Sequence, residues 1–225
     1  MTASTVLILS GSGRYADPWH PFAATSAIVA GLLADRGLAV EVSEDVEERL
    51  ADLDDVDLLI VNAGDPVRHD PAPSDAIPAA RAGLVRFAGR GGGILGLHAA
   101  SASLRHIPEW SELLGGAWIT GRSMHPEIGE TVIAVTDVPH PVTAGLTEIA
   151  TFDERYSHLD RRADVDVLAV HTHDGIEQPV VWAKGHESRA RTVYSALGHD
   201  ERAYVSPAVQ RLVVQAAAWA LRDPS

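Results

Sequence analysis

The segment that most constrains the fold of this chain runs from Gly91 to Ser101 and reads GGGILGLHAAS. It opens with glycines, continues as an apolar run typical of a strand, and ends at His98 between small residues. A strand that turns sharply into a helix, with small neighbours because backbone and helix pack closely, has the pattern of a nucleophile elbow. The elbow would raise His98, and an imidazole suits acid/base or metal chemistry better than acyl-enzyme chemistry. A strand that simply ends in a hydrogen-bonded histidine is the alternative.

The rest of the chain alternates short apolar strands with helical segments. The pattern predicts strands over 5–10, 38–42 and 56–62, followed by the strand within the glycine-led segment, and helices over 22–36 and 76–90. Further short strands are expected over 131–135, 165–170, 178–182 and 191–195, with a closing helix over 207–221. This alternation predicts a doubly wound α/β fold, a mostly parallel sheet with an antiparallel extension, in a single domain over 1–225.

Composition narrows the classes of partner. The chain has 31 acidic and 18 basic residues, a net charge of −13, which argues against nucleic acid or an anionic membrane and favours a small uncharged ligand. It contains no cysteine, which removes disulfides, thiolate metal sites and a cysteine nucleophile. The N-terminal residues lack a basic region and a long apolar core, so a cytoplasmic location is expected.

Three histidines follow predicted strands. Ligands of open α/β sheets bind beyond the carboxyl ends of the strands, so His20, His98 and His199 are expected to meet at one edge. His20 and His125 each precede a proline, which holds them in extended backbone. Any one of them alone also fits a structural loop histidine. If a metal is bound, the predicted ligands are His20, His98 and His199, and without thiolates the ion would be zinc or another divalent cation.

Two further patterns carry candidate chemistry. In FDERY, over 152–156, Glu154 and Tyr156 would share one face of an extended segment, where they could bind sugar hydroxyls or act as general acid or base. A solvated charged turn is the alternative there. His171 and His173 could form a second metal edge on one strand face. The G-x-G-x-x-A match over 11–16 is discounted as a dinucleotide loop, because prolines delay the helix that should follow it.

In their order along the chain, these motifs resemble those of the ThuA-like, trehalose-utilisation family within the class I glutamine amidotransferase-like superfamily. The resemblance rests on the glycine-led segment and on HP at 125–126, HPVTAGL at 140–146, DERY at 153–156, PVVW at 179–182 and LGHD at 197–200. It implies a flavodoxin-like three-layer α/β/α fold and a role in handling trehalose or keto-sugars. Amidotransferases of the superfamily carry a cysteine at the elbow, where this chain has His98, so glutamine hydrolysis through a thioester is excluded.

These observations lead to one main hypothesis and two rivals. The main one is an enzyme that acts on a sugar by acid/base chemistry, for which the sequence predicts no particular cofactor and leaves zinc or another divalent metal open. Its predicted catalytic residues are His98, Glu154 and His199, and its predicted substrate-binding residues are His20, Tyr156, His125 and Asp153. The rivals are a metal-dependent hydrolase using the same histidines and a non-catalytic sugar-binding or regulatory protein. A homo-oligomer stays open, because Trp110 and Trp118 would mark either a dimer patch or buried aromatics.

Overall fold

A computed structural model describes residues 4–68, 71–185 and 190–223. The strands are β1 Thr5–Ser10, β2 Ala39–Ser43, β3 Leu58–Asn62, β4 Gly93–Leu97, β5 Gly116–Ala117, β6 Gly129–Val135, β7 Glu148–Asp153, β8 Asp160–Arg161, β9 Asp166–His173, β10 Ile176–Lys184 and β11 Thr192–Ser195. The α-helices are α1 Phe22–Ala34, α2 Val46–Ala51, α3 Ile77–Gly89, α4 Glu109–Leu114 and α5 Pro207–Ala220.

The main sheet has nine strands in the order β2-β1-β3-β4-β11-β10-β9-β6-β7. The first five pair in parallel, in the 2-1-3-4-5 arrangement of flavodoxin-like folds. The other four pair antiparallel, beginning where β10 joins β11. The predicted mostly parallel α/β sheet with an antiparallel extension is therefore confirmed.

Burial explains why the parallel strands have continuous apolar sequences. Every residue of β3 and β4 is buried, as expected for strands covered by helices on both faces of a sheet. Helix α1 packs against α5, and α2 packs against α3. The second contact is very close: a Cβ atom built on Gly83 of α3 would lie 2.0 Å from the Leu50 carbonyl oxygen of α2.

The sequence pattern misses the shortest elements. Helix α2 lies in the acidic connector between β2 and β3, and α4 follows Pro108; each has six residues, too few for helical periodicity to emerge. The sequence pattern also predicts only an extended segment over 152–156, where the structure has the end of strand β7. That strand pairs with β6 along its whole length. The sequence over 65–74 is rich in proline and aspartate and predicts a surface loop. Residues 69 and 70 of that segment lie outside the described residues.

The topology brings several strand ends to one edge of the sheet. Because β1, β3, β4 and β11 are parallel, the residues that follow them lie on the same side of the molecule. Strand β7 ends at Asp153, whose carboxylate accepts from the Gly198 amide after β11, so its end reaches the same region. Among the described helices, none is long and apolar enough to cross a membrane.

Candidate active site

A sharp turn places His98 at the centre of the site. Strand β4 ends at Leu97, and His98 opens a 3-10 turn with φ of +43°, a left-handed conformation that non-glycine residues rarely adopt. The turn needs small neighbours: a Cβ atom on Gly96 would lie 2.4 Å from a Leu114 methyl group. The Tyr194 hydroxyl donates a hydrogen bond to the His98 carbonyl oxygen at 2.9 Å, which stabilises the turn. The predicted elbow geometry is therefore present, although a 3-10 turn follows it instead of an α-helix.

The His98 ring is buried and its tautomer is set by the backbone. Nδ1 lies 2.6 Å from the Ala196 carbonyl oxygen, which can only accept, so Nδ1 carries the proton. Nε2 then presents a lone pair, and the Tyr156 hydroxyl lies 3.0 Å from it. Burial lowers the pKa of His98 to about 4, against the opposing effect of the Glu154 carboxylate. His98 is thus a neutral imidazole at pH 7, with Nε2 directed into the site.

Glu154 and His199 complete a tight group with His98. Glu154 Oε2 lies 3.3 Å from His98 Nε2 and 3.3 Å from His199 Nδ1, and these two nitrogens are 3.3 Å apart. Burial raises the pKa of Glu154, but its contacts with His199 and His98 outweigh burial and hold that pKa well below its usual value. Burial lowers the pKa of His199, but hydrogen bonding to Glu154 outweighs it and the net pKa is raised.

His20 enters the site from the loop after β1. Its Nδ1 lies 2.7 Å from both carboxylate oxygens of Asp17, and its ring centroid lies 5.0 Å from that of His98 and 4.8 Å from that of His199. Its Nε2 atom is buried and has no hydrogen-bond partner among the described residues. The side chain is therefore held at one nitrogen and directed at the other two imidazoles.

The predicted meeting of His20, His98 and His199 at one edge is thus observed. Their ligating nitrogens and a Glu154 oxygen all lie within 4.8 Å of one another. Within the described ranges, this is the one group of three or more such side chains close enough to hold a metal ion. The second predicted metal edge, His171 and His173 on β9, does not form such a group. His171 Nε2 instead contacts the Tyr156 carbonyl oxygen at 2.9 Å.

Asp153 does not line the site, contrary to the expectation that it contacts substrate. It is fully buried, and its carboxylate accepts from the backbone N–H groups of Gly198 at 2.7 Å, Glu154 at 2.9 Å and His199 at 3.2 Å. Burial raises its pKa to about 7, against those three donors. Asp153 therefore connects the end of β7 to the loop after β11, and so holds the backbone of Glu154 and His199.

A cavity of about 600 Å³ opens above the group. Tyr156 and His125 lie on its wall with Trp118, whose ring centroid is 4.7 Å from that of Tyr156. Burial raises the pKa of Tyr156 well above its usual value, so its hydroxyl stays protonated. His125 Nδ1 lies 3.4 Å from Glu154 Oε1. The cavity is further lined by Asp17, Trp19, His20, Gly64, Asp65, Val67, Arg68, Ala99, Ala102, Arg105, Thr120 and Glu154.

Sequence reasoning missed two contributors. The sequence pattern assigns no role to Asp17, although an aspartate three residues before a histidine in DPWH indicates the pair that the structure shows. It leaves Trp118 as either a dimer-patch or a buried residue, whereas the structure places it half-buried on the cavity wall. Trp110 is buried, and its indole N–H donates to the Ala100 carbonyl oxygen.

The sheet order and the elbow define an α/β protein with a flavodoxin-like parallel sheet, an antiparallel extension and a histidine at the elbow. The chain belongs to the ThuA family, described as trehalose utilisation, whose model matches residues 5–220. No curated protein sequence matches it significantly.

Solved structures agree on the fold. A ThuA-like protein from Parabacteroides merdae superposes with a TM-score of 0.79 at 19% identity, covering 98% of this chain and 90% of that one. A ThuA-like protein from Bacteroides uniformis gives 0.74 at 18% identity, with 98% and 93% coverage. A glutamine amidotransferase from Thermotoga maritima gives 0.55 at 10% identity, with 87% and 76% coverage. Identities this low show a shared fold alone.

Proposed function

We propose that this protein is an enzyme of carbohydrate metabolism that acts on a trehalose-derived or other keto-sugar in the cavity above His98. One observation carries the proposal. Side chains from widely separated parts of the sequence converge on one point: His20, His98, Glu154 and His199. Two of them, His20 and Glu154, line that cavity. Buried titratable groups gathered in a cleft are typical of a reactive centre. The trehalose-utilisation family to which the chain belongs supplies the substrate class.

The cavity walls suit a neutral sugar. Trp118 and Tyr156 provide aromatic surface, against which the C–H face of a pyranose ring can pack. Asp65, Arg105 and Thr120 line the same cavity and can exchange hydrogen bonds with hydroxyl groups. A net charge of −13 further supports an uncharged partner over a nucleic acid or another polyanion.

The proposed chemistry is proton transfer at a carbon next to a carbonyl group, as in isomerisation or elimination, or a hydrolytic step. His98 Nε2 presents a lone pair because the Ala196 carbonyl occupies Nδ1, so it can accept a proton. Glu154 Oε2 and His199 Nδ1 each lie 3.3 Å from His98 Nε2, and one of these two side chains would be the second proton-transfer group. Tyr156 keeps its hydroxyl proton and can donate it to a substrate oxygen.

We also propose that the protein lacks glutamine amidotransferase activity. A thioester intermediate requires a thiolate nucleophile, and the chain contains no cysteine. Incubation with glutamine is therefore expected to release no ammonia.

The test is product detection by NMR after incubation with trehalose and with 3-keto-trehalose. Turnover of the keto-sugar is expected for the wild-type protein and for His173→Gln, which alters a histidine outside the cavity lining. It should be lost in Glu154→Gln and in His98→Asn, where asparagine tolerates the left-handed backbone of the elbow. Saturable sugar binding without any product would contradict the proposal and favour the sugar-binding or regulatory alternative.

A further inference from the structure

We propose that His20, His98, Glu154 and His199 bind one divalent cation of the zinc class at the cavity floor. The role of the ion in catalysis rests on the proposed function of the cavity. A bound ion would replace proton transfer by His98 Nε2 and Glu154, because a lone pair that binds a cation cannot accept a proton. Its binding rests only on the geometry of the four side chains.

The strongest evidence is the spacing of three of the ligand atoms. His98 Nε2, His199 Nδ1 and Glu154 Oε2 form an equilateral triangle with 3.3 Å edges. A tetrahedral zinc ion with bonds of about 2.05 Å holds neighbouring ligands about 3.3 Å apart. The triangle therefore matches one face of a zinc coordination tetrahedron without any movement of these side chains.

The hydrogen-bonding character of the triangle also favours a positive centre, which a bound cation supplies and which, without one, falls to an Nδ1–H of His199. His98 Nε2 is an acceptor because Nδ1 carries the proton, and Glu154 Oε2 is a carboxylate acceptor only 3.3 Å from it. Two buried acceptors that face each other at this distance repel unless a proton or a cation lies between them. The Tyr156 hydroxyl has a single proton to donate and lies 3.0 Å from His98 Nε2.

His20 provides the fourth ligand. One of its ring nitrogens lies within 4.8 Å of the ligand atoms of the other three side chains. Its Nε2 is buried without a hydrogen-bond partner among the described residues and is the nitrogen that can bind a cation. Its Nδ1 is held by the Asp17 carboxylate at 2.7 Å. Metal-binding histidines commonly donate their other ring N–H to a carboxylate or a backbone carbonyl, which fixes the tautomer and the ring orientation. His20 has the first kind of partner, and His98 has the second in Ala196.

The donor set limits the choice of metal. Three imidazoles and one carboxylate, with no thiolate in the chain, suit zinc and other first-row divalent ions, whereas calcium and magnesium prefer sites built from oxygen alone. His20 and Glu154 also line the cavity, so a sugar oxygen can approach the ion from that side. Because four protein ligands complete a tetrahedral site, the ion would polarise the carbonyl of a substrate only by accepting its oxygen as a fifth ligand.

The test measures metal binding directly. The full-length protein is treated with a chelator, dialysed, and titrated with Zn²⁺ in a calorimeter, and with Co²⁺ while its visible absorption is recorded. We expect one Zn²⁺ per chain and a Co²⁺ spectrum typical of nitrogen and oxygen ligands. Glu154→Gln and His98→Asn should weaken binding by about 100-fold or more, because each removes a direct ligand. Circular dichroism checks that both variants remain folded.

His173→Gln is the matched control, because His173 belongs to the alternative metal edge on β9 and lies outside the group of four. It should bind Zn²⁺ as the wild type does. The inference is overturned if no stoichiometric binding occurs, or if Glu154→Gln and His98→Asn bind as tightly as the wild type. Keto-sugar conversion by protein that binds no metal would refute this inference and leave the proposed function intact. Stoichiometric Zn²⁺ binding without keto-sugar conversion would support this inference and contradict the proposed function.

Discussion

His20 Nδ1 lies 2.7 Å from both carboxylate oxygens of Asp17. This carboxylate therefore orients the imidazole that packs beside those of His98 and His199. Asp17→Asn keeps the shape of that side chain but removes its charge. We expect Zn²⁺ affinity to fall by about 10- to 100-fold, because the orienting partner also increases the basicity of the ligand. Calorimetric titration measures the change. Asp174→Asn, an exposed aspartate beside His173, should have no effect, and equal affinities in both variants would contradict the role of Asp17.

Asp153→Asn should destabilise the protein. The carboxylate accepts three backbone N–H groups in full burial, and an asparagine amide would direct its own donors at some of them. Leaving a buried donor unpaired costs about 1 to 3 kcal/mol, and urea denaturation should show a loss of that size in the free energy of unfolding. Asp160→Asn breaks only a surface ion pair with Arg122, and its cost should stay below about 1 kcal/mol. Similar losses in the two variants would argue against the anchoring role.

In the metal-free protein, His98 should contribute a loss of stability as the pH falls from about 6.5 towards 4. The contribution of Asp153 has the opposite sign, because its raised pKa makes the folded state take up that proton first. Burial lowers the pKa of His98 from 6.5 to about 4, so the unfolded chain takes up a proton in this range before the folded chain does. His98 therefore contributes stability above pH 6.5 that is lost as the pH approaches 4. Each unit of difference in pKa corresponds to about 1.4 kcal/mol. Urea unfolding at several pH values should show that the wild type loses more stability, or gains less, than His98→Asn as the pH falls over this range. The same pH dependence in both proteins would contradict this explanation.

Trp118→Ala should weaken substrate binding more than it slows turnover. The indole forms a cavity wall and packs edge-on against Tyr156, yet it is not one of the four converging side chains. We expect KM for the keto-sugar to rise by about 10-fold, equivalent to about 1.4 kcal/mol, with a smaller change in kcat. Trp118→Phe keeps an aromatic surface and should stay close to the wild type. A fall in kcat at constant KM would show that the ring acts in the reaction itself.

Two glycines in helices should respond oppositely to alanine. A Cβ atom on Gly83 would lie 2.0 Å from the Leu50 carbonyl oxygen, so Gly83→Ala must separate α2 from α3, at a cost of about 1 to 3 kcal/mol or more. Nothing lies within 4 Å of a Cβ atom on Gly31 in α1, where alanine should stabilise the helix by about 0.5 to 1 kcal/mol. Thermal denaturation compares the two, and a stabilising Gly83→Ala would contradict the observed helix contact.

The sequence predicts the parallel sheet and the meeting of the histidines for the same reason. Continuous apolar runs indicate strands that are buried on both faces of the sheet. Because parallel strands have their carboxyl ends at one edge, His20, His98 and His199 can be grouped from the sequence alone. The choice between Asp153 and Glu154 could not be made in this way. They are adjacent and chemically alike, and only the pairing of β7 with β6 decides which of them faces the cavity.

The orienting groups are harder to predict because they depend on contacts across long sequence separations. The carbonyl that fixes the His98 tautomer belongs to Ala196, 98 positions along the chain, and any residue type could have supplied it. Short elements also escape prediction, since the six residues of α2 and of α4 are held by tertiary packing more than by their own helical propensity.

The neighbouring strands β4 and β11 are separated in sequence by the whole antiparallel extension. Each of the three converging histidines follows a strand of the parallel part of the sheet, whereas Glu154, Tyr156, Trp118 and His125 all come from that intervening stretch. The parallel strands therefore position the three imidazoles. The segment inserted between β4 and β11 supplies the carboxylate and much of the cavity wall. Exchanging this inserted segment between relatives is expected to change the cavity wall while leaving the three imidazoles in place.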